Sequence, residues 1–430
     1  MSEPSKADSL LNREIGRLGV AAIAMNGVIG SGIFALPAVA IAQAGAFSPW
    51  MFVLCGVLIL SVALTFARIA GFFDITGGPI VYTSHAFGRF IGFQTGMLIY
   101  ISRVAAIAAS ANLIVSHAAA LWPVLADGMP RAGALGLFLV AITWLNAAGV
   151  RAGMAGIYIV SVLKLAPLVL LILFGVPEIR WGVVAGAAPI GLDRMGETML
   201  VLMYAFIGFE FSLIAAGETR DARAAIPKAL IRTVVAIAVC YALIQLVVVS
   251  VAPDIGDSKT PLVEVARRLL GPWGALLLGL GVVFSISGGS MTSLLTAPRL
   301  TFALARDGSL PAWLGKVDAR SGAPVNSILF CGALSFVLAV GQQFVWLTVF
   351  ATFVRLVTYV LCIASLPVIE RSMTEQPGQF RLVGGLAIPA LALVLTLWLL
   401  SHTALDNVVI ASAVAAAGTI VFLGCTRRAR

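Results

Sequence analysis

Apolar runs that are nearly free of Lys, Arg, Asp and Glu recur along the whole chain. A membrane-crossing helix needs about 20 predominantly apolar residues. Twelve segments meet that requirement, at about 18–40, 46–70, 90–118, 133–149, 153–176, 196–217, 231–252, 273–298, 325–341, 344–370, 384–402 and 405–424. Of the 430 residues, 60% are hydrophobic and 11% charged, against about 25% charged in a soluble domain. Backbone crossing lipid must satisfy its own hydrogen bonds, so spanning segments are helices or closed barrels. Barrel strands are short and alternate in polarity, whereas these runs are long and continuous. The chain is predicted to be an all-α integral membrane protein with 12 transmembrane helices.

An even number of spans puts both termini on one side. Of the 28 Lys and Arg residues, 19 then fall in segments on that side, 6 on the other and 3 within spans. Basic residues concentrate in cytoplasmic loops, so both termini are expected in the cytoplasm and the membrane is the cell (inner or plasma) membrane. The net charge of +9 is thereby a topology signal, and nucleic acid is not expected as a partner. Residues 1–17 form a polar tail without a short apolar core and small-residue cleavage site, so no removable signal peptide is expected. The five cysteines, Cys55, Cys240, Cys331, Cys362 and Cys425, are scattered through apolar runs and read as small buried hydrophobes. No cluster has metal-ligand spacing, no Ser/His/Asp set converges and no phosphate-binding Gly-Lys-Ser/Thr loop occurs. Neither a metal nor a cofactor is expected, and the chain is not expected to be an enzyme. A channel would expect a pore-lining polar stripe instead.

The first span is not an ordinary membrane helix. It contains Asn26-Gly27-Val28-Ile29-Gly30-Ser31-Gly32-Ile33-Phe34-Ala35-Leu36-Pro37, with three glycines and small polar residues at bilayer depth. Glycine weakens a helix by about 1 kcal/mol relative to alanine, and a backbone group left facing lipid costs several kcal/mol. A break here is reasonable only where the freed groups line a cavity. Span six repeats the pattern in Tyr204-Ala205-Phe206-Ile207-Gly208-Phe209-Glu210-Phe211. It lies five spans later and therefore runs in the opposite direction. Two interrupted helices at matching places of inverted halves point to a transporter's central site; close helix packing through small residues is the alternative.

Two loops stand out, 74–88 after span two and 299–311 after span eight. The second reads as a short amphipathic helix stopped by Asp307-Gly308.

These motifs resemble the amino acid–polyamine–organocation superfamily of permeases. The likeness rests on Gly30-Ser31-Gly32-Ile33-Phe34 with Pro37, and on Gly77-Gly78 with Tyr82 and Phe87-Gly88. Phe206-Ile207-Gly208-Phe209-Glu210 follows, then Glu218-Thr219-Arg220 with Ile226-Pro227, and last Arg306-Asp307-Gly308 with Pro311. The resemblance implies a leucine-transporter fold with a 5+5 inverted repeat, residues 18–176 and 196–370. Two peripheral helices, 384–424, and a short cytoplasmic tail, 425–430, complete it. It also implies transport of amino acids or related amines by alternating access, in a lipid bilayer, with an oligomer allowed. An amino acid exchanger (antiporter) and a non-transporting membrane sensor on the same scaffold are the alternatives.

A zwitterionic amino acid needs donors for its carboxylate and acceptors for its ammonium. The half-helix starting near Ser31 offers free N–H groups and a positive dipole end, so Ile29, Gly30, Ser31 and Gly32 are assigned to the carboxylate. Carbonyls near residues 24–27 and around Ala205, Phe206, Ile207 and Gly208 are assigned to the ammonium. In this family an aromatic near Tyr204 or Phe206 gates the substrate. Ser102, Arg103, Tyr204, Phe209, Ser287 and Ser290 are candidates for side-chain specificity.

Four ionisable residues lie at bilayer depth, Arg103, Lys164, Glu210 and Arg355. Each costs at least ~2.5 kcal/mol to insert, so pairing or function is expected. Lys164 matches the lysine that some family members use in place of sodium, which suggests proton coupling, with protons as the second partner. A static ammonium bonded to carbonyls of the first break is the structural alternative. Arg103 and Glu210 should both approach the cavity. An Arg103–Glu210 ion pair is favoured, because an unpaired buried arginine is costly; the other reading turns Arg103 to the side chain of an acidic or polar substrate. Arg355 is expected to be structural.

Overall fold

In the computed structural model, residues 16–73, 77–148, 154–214, 219, 221–318, 323–375, 379–382 and 384–428 are described. The tail 1–15, the stretch 74–76, Arg151 and the Glu218 and Arg220 positions lie outside them, as do residues 429–430. Among the described residues every regular element is helical. The helices are α1 Arg17–Val28, α2 Gly32–Ala44, α3 Ser48–Ala70, α4 Pro79–Phe87, α5 Arg89–Leu121, α6 Gly128–Ala147, α7 Met154–Gly175 and α8 Trp181–Ala185. They continue with α9 Leu192–Leu202, α10 Phe211–Ile214, α11 Ala222–Val251, α12 Pro261–Arg306, α13 Val325–Gly341, α14 Phe344–Ser372, α15 Ala387–Ser401 and α16 Leu405–Arg428.

Among the described residues, eight helical stretches are long and apolar enough to cross a membrane, and three shorter apolar helices, Leu18–Val28, Val325–Gly341 and Ala387–Ser401, accompany them. The shortfall against the expected twelve has a clear local cause in two places. The first and sixth predicted spans are each divided: α1 stops at Val28 and α2 starts at Gly32, while α9 gives way to a 3-10 turn, Met203–Phe206, before α10. The loop after span eight differs from expectation. No separate amphipathic helix forms, because α12 runs unbroken from a kink at Gly271 to Arg306, and only Asp307-Gly308 ends it.

The helices pack in a connected pattern. α3 lies along α11, α6 along α13 and α5 along α12; α7 packs on α12 and α14 on α5; α1 touches α7 and α11, and α9 touches α14 and α3. A large apolar cluster joins α2, α3, α9, α11 and α14, and a second joins α5, α6, α13 and α14. Helix α5 is the most enclosed, with 89% of its apolar window buried, whereas α16 has 6% and lies at the periphery. Residues of both breaks, among them Val28, Ile29, Ala205 and Phe209, are buried in the first cluster, so their polar backbone is surrounded by protein and not lipid.

Candidate functional site

The two breaks touch each other through bare backbone. A Cβ placed on Gly27 would lie 2.4 Å from the Gly208 carbonyl oxygen, and one on Gly208 would lie 2.1 Å from that of Gly27. Gly208 also has φ of 122°, a conformation side chains rarely tolerate. At the start of α2, a Cβ on Gly32 would lie 2.7 Å from Ala205 Cα. Gly30 differs, for a methyl there would meet nothing within 4 Å.

Beside this crossing lies a cavity of about 70 Å³, bordered by Asn26–Val28 and Gly30–Gly32 of the first break and by Tyr204, Ile207, Gly208 and Phe211 of the second. Helix α5 adds Ser102, Arg103 and Ser110, α12 adds Ser285, Ser290 and Ser293, and α14 adds Arg355. At about 10–15 Å³ per water, such a space holds roughly five to seven waters. The α2 N-terminus has no side-chain cap, so its first-turn N–H groups are open to a ligand's oxygen.

The hydroxyl of Ser31 is shared. It lies 3.0 Å from the Tyr204 hydroxyl and accepts from Ser110 Oγ at 3.1 Å, while Tyr204 Oη reaches the Ala106 carbonyl at 3.4 Å. The Tyr204 ring also meets Phe344 edge-on at 6.3 Å between centroids. Phe344 borders a second cavity of about 640 Å³ that reaches Ala35 and Val39 of α2, Arg131 and Lys259. Tyr204 and Phe344 thus stand between the two spaces. Phe206 sits elsewhere, fully buried against Phe52 and Tyr241.

Each break is braced by a buried cation. Lys164 of α7, wholly buried, donates to the carbonyls of Ile29 at 2.7 Å and Asn26 at 3.2 Å. Asn26 Nδ2 in turn bonds the Ala22 carbonyl at 3.0 Å and the Ser161 hydroxyl. Ile29 has its N–H on the Met25 carbonyl at 2.9 Å, so that N–H is already used and the donors facing a carboxylate fall to Gly30–Gly32.

At the second break, Glu210 pairs with Arg355 of α14. Its other oxygen accepts from Tyr359 Oη at 3.0 Å and from the Gly208 N–H at 3.2 Å. The expected Arg103–Glu210 pair is not formed, because Glu210 faces α14 and is already satisfied there. Glu210 is fully buried and stands behind the cavity wall. Arg103 instead donates to Thr296 Oγ1 at 2.6 Å and lies over the Phe211 ring at 4.1 Å.

Of the specificity candidates, Ser102, Arg103, Tyr204 and Ser290 border the cavity, whereas Phe209 packs against Phe66 and Tyr359. Sequence reasoning missed the Asn26 side chain, Ser110, Thr296 and Tyr359. Asn26 carried a readable signal, as a polar residue at bilayer depth beside the first break; the others are set by helix rotation, which leaves no local mark.

A family profile described as amino acid permease matches residues 15–424. An uncharacterized transporter of Mycobacterium bovis is 29% identical, over 100% of this chain and 95% of its own length. The branched-chain amino acid permease BcaP of Bacillus subtilis is 24% identical over 92% of this chain and 89% of its own. Asc-type amino acid transporter 1 of Mus musculus is 26% identical, with 84% and 71% covered.

Proposed function

The chain belongs to the amino acid permease family, and from that premise we propose that it is a secondary active amino acid transporter coupled to protons. The crossing of two broken helices beside one small cavity carries the proposal. The substrate carboxylate binds the N–H groups of Gly30, Ser31 and Gly32, and its ammonium turns to the carbonyl edge around Ile207. Tyr204, backed by Phe344, is the gate toward the larger cavity, which lies on the outer side in the orientation that the overall distribution of Lys and Arg supports. On the opposite side, the Arg68–Glu370 pair at 2.7 Å and the Arg89–Asp307 pair at 2.9 Å hold the inner path shut.

The helix contacts support a 5+5 inverted repeat, and the distribution of Lys and Arg supports twelve spans with both termini cytoplasmic. Exchanging the first five spans for the second five maps α7 on α12 to α14 on α5, and α1 on α7 to α9 on α14. Lys164 and Arg355 then fall on equivalent helices. Lys164 is the coupling group. It holds the two carbonyls that end the first half-helix, so loss of its proton weakens the grip on the break and couples protonation to the conformation of the site.

Uptake into proteoliposomes under an imposed pH gradient tests this. Wild type is expected to accumulate amino acid when the outside is acidic, and Lys164→Gln to lose that dependence while still exchanging substrate. Unchanged pH-driven uptake in Lys164→Gln would overturn the coupling role, and obligatory exchange in wild type would make the protein an antiporter.

A further inference from the structure

Arg103 is 2% exposed and borders the central cavity, yet only one of its three guanidinium nitrogens has a hydrogen-bond partner among the described residues. Its Nε and Nη2 have none. A buried arginine is costly unless its charge and donors are met, and the ring face of Phe211 supplies only part of that. Among the described residues no Asp or Glu borders the cavity. Glu210 lies just behind the wall but is occupied by Arg355, Tyr359 and the Gly208 N–H. Among the described residues the cavity lining therefore carries one cation in excess, with two donor nitrogens unpartnered.

A zwitterionic substrate adds no net charge and leaves that excess in place. An acidic amino acid brings one extra negative charge. Its α-carboxylate occupies the start of α2, and its second carboxylate fills the open donor fork. We infer that the ligand of this site is an acidic amino acid, glutamate or aspartate, with its side-chain carboxylate on Arg103. Arg103 lies seven residues before Ser110, which bonds Ser31, so it sits about 10 Å farther along α5 at 1.5 Å per residue. The two carboxylates must therefore be presented apart, which favours glutamate over the shorter aspartate. This inference rests on the transport reading above.

Glutamate and glutamine are nearly equal in size and differ in charge, so they isolate the guanidinium's contribution. Thermal stability of the purified protein would be measured against glutamate, aspartate, glutamine, alanine and leucine, with radiolabelled uptake for those that bind. Wild type is expected to prefer glutamate to glutamine about tenfold or more, as charge-assisted hydrogen bonds imply. Arg103→Gln is expected to lose that preference and retain glutamine. A wild type that prefers glutamine, or any neutral amino acid, overturns the inference and leaves amino acid transport standing. An Arg103→Gln variant that keeps the preference also overturns it. Should the variant fail to fold, the wild-type glutamate-to-glutamine ratio decides alone. A protein that binds and carries no amino acid overturns both readings.

Discussion

The two helix breaks are held by different chemistry. At the first, Lys164 donates to the Ile29 and Asn26 carbonyls; at the second, Arg355 meets the Glu210 carboxylate, which Tyr359 and the Gly208 N–H also hold. The first brace has no counter-ion among the described residues. Its lysine can give up a proton without stranding an opposite charge. The second is a closed ion pair, and removing either member leaves a buried charge alone. One break is thus suited to change its state during a cycle and the other to keep its shape.

The largest expected effect tests that difference directly. Arg355→Ala should cost about 3–5 kcal/mol, the usual penalty for orphaning one member of a buried pair. Lys164→Ala leaves carbonyls without a donor and should cost less, about 1–3 kcal/mol. Thermal midpoints in detergent give the order, and a Lys164→Ala loss equal to that of Arg355→Ala would erase the distinction between the braces.

A smaller effect concerns the crossing itself. Gly208→Ala forces a methyl against the Gly27 carbonyl and should abolish uptake with a measurable loss of stability, whereas Gly30→Ala should leave folding intact and weaken only ligand binding. If both variants transport normally, the contact of the breaks is not what shapes the site.

The smallest expected effect calibrates the buried pair against an exposed one. Arg268 of α12 grips Asp254, in the loop after α11, through two bonds of 2.5 and 2.8 Å. The neighbouring guanidinium holds the Asp254 carboxyl down at about 2. A depressed carboxylate contributes above its ordinary value of about 3.9 and loses that contribution as pH falls through the folded value. Asp254→Asn should therefore leave the shape of the stability curve between pH 5 and 8 unchanged. Its effect should be the least of the variants and should shrink with added salt.

Much of the site was legible in residue type and spacing. Glycines and an acid at bilayer depth marked both breaks, and Lys164 donates to the first break's carbonyls, a contact common to both of its readings. The partner of Glu210 was not legible. Successive residues on a helix point about 100° apart, so the sequence names which charges reach mid-membrane without saying which face one another. Arg103 and Arg355 were equally plausible on charge alone, and only the rotation of α5 and α14 separates them. The contact between Gly27 and Gly208 was hidden for a related reason: a missing side chain does not announce what fills its place. In the loop after span eight, the amphipathic pattern was present but continued the preceding helix, because Pro298 is accommodated inside α12 without ending it.

Ser110, Ser31 and Tyr204 form a short file of hydroxyls running from α5 through the first break to the second. Each O–H can rotate and can either give or receive. Such a file has a polarity, and turning its members over reverses it without moving a heavy atom. The same three oxygens can therefore present a hydrogen to a carboxylate in one arrangement and a lone pair to an ammonium in the other, letting one rigid surface greet either end of the same molecule.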